Sequence, residues 1–281
     1  MSFAERLFAG RWIAGPGIND AMRISKAMNS ANITPILNYL GEDLAKRSEV
    51  SDSVSEYINL INAIHESGVK AVISLKPSQL GLSISYALAQ NNYSRIAKIA
   101  RKNGVFTWLD MEGHNTVADT KRMYYSELRR GRVGICMQAY LRRTGNDIEE
   151  LLSRDGIIRL VKGAYKEDAN TAFTTRAQIT QNYAELMHRL FKSSAQFMIA
   201  THDPAMINLA FRLSKKTGKR PMYAMLNGIR NNYATKLAKR EHVFLYLPFG
   251  RSWLPYASRR LREEGHLLLM VRSLFEKQDL V

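Results

Sequence analysis

Charged and polar side chains stand at the ends of short apolar runs along this chain. Lys76 follows Val69–Leu75, Asp110 follows Val105–Leu109, and Gln138 closes Arg132–Gln138. Lys162 and Tyr165 mark the end of Ile157–Lys162, and Thr201 with His202 the end of Gln196–Thr201. One lysine or aspartate after a strand is an ordinary loop residue or cap. Their recurrence over successive runs points to a common rim, because polar groups are costly inside strands and useful at their ends. Arg159 differs, lying within the apolar run Ile157–Val161, where a guanidinium needs an anionic or hydrogen-bonding partner. Two readings stand open for it: a structural salt bridge, or, with Lys162 and Gly163 beside it, a site for an electron-rich ring or a phosphate. Gly163 would let the backbone approach such a ligand closely.

Other chemistries find little support. The six histidines are isolated, without the His-x-x-x-His or Cys/Asp clusters of a metal site. The triplet Thr201-His202-Asp203 lacks a placed nucleophile, which argues against a hydrolase. Cys136 is the single cysteine, so no internal disulfide forms, and its apolar surroundings read as a buried bystander in a protein suited to a reducing cytoplasm.

The elements that must position these residues alternate. Besides the five runs above, β-rich segments fall at Ile33–Tyr39, Met222–Leu226 and Val243–Leu247, with room for a helix between each pair. Helical spacing is visible in Val54, Ile58 and Ile61, and again in Tyr183, Leu186, Met187 and Leu190. Eight β-then-α units favour a closed (βα)8 barrel over an open sheet, since closure removes both edges. No G-x-G-x-x-G loop follows the first strand, which argues against a dinucleotide-binding open sheet. Residues 1–32 read as a helical arm, and the whole chain 1–281 as one domain.

A last helix is predicted over about 252–264, with Ser252 as N-cap and Pro255 in its first turn. Tyr256, Arg259, Arg260 and Glu263 make a polar stripe beside Trp253, Leu254, Ala257 and Leu261. Either the stripe is a solvated face, or the helix lies over the barrel mouth and the paired arginines grip a small carboxylate.

The net charge is +16, spread as scattered pairs such as Arg129-Arg130, Lys215-Lys216 and Lys219-Arg220. That distribution favours solvated faces, then attraction to an anionic membrane surface, with nucleic acid third. Residues 1–17 carry Glu5, Arg6 and Arg11 among their apolar residues and so lack a secretion-signal core, and no apolar run is long enough to span a bilayer.

Together these motifs resemble the proline dehydrogenase family. The resemblance rests on Arg159-Leu160-Val161-Lys162-Gly163-Ala164-Tyr165 and on Tyr246 thirteen positions before Arg259-Arg260. It extends to Leu40-Gly41-Glu42, Leu75-Lys76-Pro77, Asp110-Met111-Glu112, Gln138-Ala139-Tyr140-Leu141 and Ala200-Thr201-His202, in the family's order. It implies a distorted (βα)8 barrel with FAD at its mouth and proline between the flavin and the final helix. Arg159 then corresponds to the residue beside flavin N5, and Gln138, Lys162, Gly163, Ala164, Thr201 and His202 to other flavin contacts. Lys76, Asp110, Tyr246, Arg259 and Arg260 correspond to the substrate side, with Asp110 an ion-pair partner that positions Lys76 or an arginine. Tyr165 and Glu263 occupy further motif positions. Lys166, Asp203 and Asn227 depart from the family's pattern.

The implied reaction is oxidation of L-proline to pyrroline-5-carboxylate, with electrons passed to a membrane quinone. At this length the chain lacks a fused aldehyde dehydrogenase, so a separate pyrroline-5-carboxylate dehydrogenase would follow. The protein is expected in the cytoplasm, with peripheral contact at the inner membrane face, and without nucleic acid. The nearest rival is a flavoenzyme oxidising 4-hydroxyproline or another cyclic secondary amine; a basic nucleic-acid-binding protein, which would carry no flavin, is more distant.

Overall fold

The computed structural model describes residues 12–252. Eight parallel strands follow one another in a closed barrel order: β1 (Ile33–Tyr39), β2 (Val72–Leu75), β3 (Thr107–Leu109), β4 (Val133–Gln138), β5 (Ile158–Val161), β6 (Phe197–Ala200), β7 (Met222–Leu226) and β8 (Val243–Phe249). The pairing of β1 with β8 runs in register from Ile33↔Val243 to Tyr39↔Phe249. A helix, α1 (Ile18–Ser30), precedes β1; of the expected arm 1–32, residues 12–32 are described, and α1 is their helical part. The connecting helices are α2 (Arg47–Ser67), α3 (Tyr86–Lys102), α4 (Val117–Leu128), α5 (Thr144–Leu152), α6 (Arg176–Lys192), α7 (Pro204–Thr217) and α8 (Asn231–Ala238). The expected (βα)8 class is thus the observed one. The last predicted helix, with Tyr256, Arg259, Arg260 and Glu263, lies outside the described residues.

Local chemistry explains the boundaries. In α2 the buried positions Val50, Val54, Tyr57, Leu60, Ile61 and Ile64 recur at helical spacing, and the helix stops at Gly68 in the left-handed conformation. A capping box of Thr175 and Gln178 opens α6, while Asp203 caps α7 ahead of Pro204. Every residue of β4 is buried, as expected of a strand covered on both faces.

Two compact units divide the described chain: 12–106 with 225–252, and 107–224. The first holds β1, β2 and β8; the second holds β3 to β6. Cys136, on β4, is buried, and burial pushes its thiol pKa up, which suits an unreactive side chain.

Candidate active site

In the unit 107–224 the chemistry gathers at the ends of β3 to β6. Asp110 follows β3, and Arg159 sits within β5 with only 4% of its side chain exposed. The two form a short buried ion pair, and the guanidinium also lies over the Trp108 ring, 5.2 Å from its centroid. Of the partners expected for Asp110, Lys76 or an arginine, the observed ion pair is with an arginine, Arg159. At the end of β4, Gln138 is buried and donates through Nε2 to the Glu112 carbonyl at 2.8 Å, which fixes the orientation of its amide.

The segment after β5 is held against the segment after β4. The Tyr140 N–H donates to the Lys162 carbonyl and the Phe173 N–H to the Tyr140 carbonyl, both at 2.8 Å, with a bridge between Leu141 and Ala172. Gly163 has φ +114, and a Cβ built on it would lie 2.1 Å from the Tyr140 ring. Sequence reasoning assigned that freedom to a ligand's approach; here the tyrosine ring occupies the space above Cα. Gly163→Ala is expected to cost at least about 1–3 kcal/mol from backbone strain alone, with ring displacement adding to it. Urea unfolding of the variant checks this. Ala164 and Tyr165 follow in the same loop, both partly exposed.

Lys162 donates to Asp203 Oδ2 at 2.8 Å and to Thr180 Oγ1 at 3.0 Å. Thr201 and His202, at the end of β6, are buried, and Thr201 Oγ1 accepts the Asp203 N–H at 3.1 Å. Asp203 Oδ1 in turn accepts the Ala205 N–H at 3.0 Å, capping α7. Burial pushes the Asp203 pKa upward, but its bonds to Lys162 and to the helix N–H groups outweigh that, and the net shift is below the ordinary 3.8. A depressed carboxylate stabilises the fold above its unfolded pKa and loses that contribution as pH falls through the folded value. Lys162→Met is therefore expected to move the acid-unfolding midpoint to higher pH, which circular dichroism across an acid titration would show.

In the other unit, Lys76 follows β2 and pairs with Glu42 at 3.0 Å, with side chains 12% and 20% exposed. Glu42 lay inside a quoted motif without an assigned partner, and only the fold reveals the pairing. Tyr246, on β8, is partly exposed, and its carbonyl accepts the Asn227 N–H at 3.0 Å. Asn227 also accepts from Asn231 Nδ2 at 3.3 Å; Lys166, in the unit 107–224, is exposed.

A parallel (βα)8 barrel with cations, amides and hydroxyls at its strand ends defines an α/β-barrel enzyme. The chain belongs to the proline dehydrogenase family, whose model matches residues 21–272. Among curated proteins it is similar to proline dehydrogenase 2 of Bacillus subtilis, 30% identical over 93% of this chain and 88% of that one. The proline dehydrogenase of Deinococcus radiodurans is 34% identical over 91% of this chain and 86% of the relative. Among solved structures, proline utilization A of Bdellovibrio bacteriovorus, inactivated by N-propargylglycine, superposes with a TM-score of 0.86 at 20% identity. That match covers 91% of this chain but 32% of the larger protein, and it speaks for the fold alone.

The family implies a flavin cofactor. The donor set fits one: the Arg159 guanidinium, Lys162 ammonium, Gln138 amide, Thr201 hydroxyl and His202 imidazole come from β4, β5 and β6 of one unit, and such groups suit an electron-rich ring or a phosphate.

Proposed function

We propose that this member of the family oxidises L-proline to 1-pyrroline-5-carboxylate, the first step of proline degradation, with FAD as its cofactor and a quinone as electron acceptor. The observation that carries the reading is the buried Arg159–Asp110 pair at the heart of the donor set on β3 to β6. A cation retained in so dry a position favours an environment in which negative charge develops. When bound, the flavin supplies a two-electron acceptor for the hydrogen leaving proline C5.

The chain's own residues hold and orient. Arg159, itself held by Asp110, stabilises negative charge on the cofactor's ring. Gln138, Lys162, Gly163, Ala164, Thr201 and His202 surround the cofactor. Lys76, Arg259 and Arg260 hold the proline carboxylate, with Tyr246 on the same substrate side, and that grip orients C5 for reaction. Proline is preferred to 4-hydroxyproline in this reading, and a separate pyrroline-5-carboxylate dehydrogenase consumes the product. Release of the flavin by heat, followed by chromatography against FAD and FMN standards, tests the cofactor. FAD is the expected species; FMN, or a colourless protein that takes up no added FAD, would contradict the proposal.

The quinone acceptor brings the protein to a membrane surface. Among the described residues no helix is long and apolar enough to cross a membrane. Exposed cations suit a peripheral contact instead: Lys215, Lys216 and Arg220 lie in a stretch, 211–220, that contains no acid, and Arg129, Arg130 and Arg132 are also exposed. Cosedimentation with anionic vesicles is expected to fall as salt rises, and to fall further in a Lys215→Glu/Lys216→Glu variant. Equal recovery with neutral and anionic vesicles would count against membrane contact.

A further inference from the structure

A buried hydrogen-bond chain joins the two segments that carry Lys76 and Glu42. Asn38, on β1, donates through Nδ2 to the Tyr57 hydroxyl at 3.1 Å and to the Ser74 carbonyl at 3.0 Å. The Tyr57 oxygen, reaching in from α2, lies 3.0 Å from that same carbonyl and 2.9 Å from Gln79 Oε1. A phenol has one proton to donate. The Ser74 carbonyl already accepts from Asn38, whereas the Tyr57 hydroxyl is the donor that meets Gln79 Oε1, so we assign the proton to Gln79 Oε1. Gln79 then donates through Nε2 to the Tyr39 carbonyl at 2.8 Å. The direction is consistent along the whole chain, from Asn38 to Tyr57 to Gln79 to Tyr39.

Its ends matter more than its middle. Gln79 stands three residues after Lys76 in the turn Pro77–Leu80, and its own N–H bonds the Lys76 carbonyl at 3.0 Å. Tyr39 stands three residues before Glu42. The neighbouring Ser78 hydroxyl accepts the Asp43 N–H at 3.0 Å, a second tie between the same segments. Gly41 has φ +153, and a Cβ there would sit 3.1 Å from Gln79 Nε2, so the backbone after β1 packs directly onto this amide. Asn38, Tyr57 and Gln79 are all essentially buried, and water does not compete for these bonds.

We infer that Gln79 is a positioning residue for substrate binding. Its side-chain amide, oriented by Tyr57 and Asn38, fixes the turn after β2 against the segment after β1 and so sets where the Lys76 ammonium points. The inference rests on the reading of Lys76 as a carboxylate-binding residue. A glutamine is the side chain suited to the node, since it must accept from a phenol with one end and donate to a carbonyl with the other; methionine matches its length and does neither.

The test compares Gln79→Met, Tyr57→Phe, Lys76→Met and the double variant Gln79→Met/Lys76→Met for proline KM, kcat, flavin content and thermal midpoint. Gln79→Met is expected to raise KM for proline by about fivefold, the equivalent of one hydrogen bond, while kcat stays within about twofold. In the Lys76→Met background the same substitution is expected to change KM no further, because its effect passes through the lysine. Tyr57→Phe keeps the ring and removes the hydroxyl that accepts from Asn38 and donates to Gln79, so it should raise KM in the same direction and carries the test if Gln79→Met folds poorly. A lowered thermal midpoint with wild-type KM in both Gln79→Met and Tyr57→Phe would overturn the inference, as would a KM effect undiminished in the double variant. A wild-type KM in Lys76→Met is a different failure: it would remove the carboxylate role of the lysine itself.

Discussion

Arg159→Met is expected to lower the free energy of unfolding by about 3–5 kcal/mol, the usual cost of breaking a buried ion pair from one side. The Asp110 carboxylate stays near the barrel interior without its guanidinium, and the contact over Trp108 is lost with it. Flavin content or the flavin's reduction potential should fall at the same time, since a cation beside the ring favours its reduced, more anionic form. The double variant Arg159→Met/Asp110→Asn separates the two effects. Removing the carboxylate charge as well should restore much of the stability but neither the flavin affinity nor the potential. If cofactor binding and potential returned along with stability, Arg159 would be a structural residue only.

The second large effect concerns the paired arginines of the final motif. Arg259→Met and Arg260→Met are each expected to lower kcat/KM for proline by at least about tenfold, because a charge-assisted bond to a carboxylate contributes on the order of 1.5–3 kcal/mol. Bound flavin and overall stability should change little if the arginines act on the substrate carboxylate and not on the fold. Proline analogues without the carboxylate provide the control: they should bind weakly to the wild type and lose little more in either variant. Near-normal KM in both variants would remove the clamp.

Much of the fold is legible because the barrel repeats one pattern, yet the apolar runs begin before the strands do. Val69 and Val105 are buried and looked like the first residues of strands, but β2 begins at Val72 and β3 at Thr107. Apolar character reports burial, and these valines are buried as connectors before the ladder begins. In β8 the difference is the reverse: the apolar run predicts an end at Leu247, and the strand continues to Phe249. Pro248 lacks an N–H, but it continues the register opposite Asn38 and its carbonyl accepts the Ala14 N–H at 2.8 Å. A proline is tolerated in a ladder where its missing donor is not needed.

The candidate site shows the same division. Which residues end the strands follows from local pattern, so Lys76, Asp110, Gln138, Lys162, Thr201 and His202 could be named from the sequence. Who pairs with whom does not. Lys76 meets Glu42 34 positions away, Lys162 meets Asp203 41 away, and Arg159 meets Asp110 49 away. No helical or strand period links such distances; the order of strands around the sheet does. In the sequence Asp203 stands out as the end of a triplet without a nucleophile and as a departure from the family's pattern, yet it caps α7 and holds Lys162. The polar node at Gln79 gave no signal at all, since a buried glutamine looks like any loop residue until its partners are known.

Proline oxidation by bound flavin is read in the visible spectrum of the purified, flavin-loaded protein under anaerobic conditions as L-proline is added. Loss of the oxidised-flavin absorbance, with one equivalent of 1-pyrroline-5-carboxylate formed per flavin reduced, is the predicted result. A flavin-loaded protein whose spectrum does not change with saturating proline would contradict it.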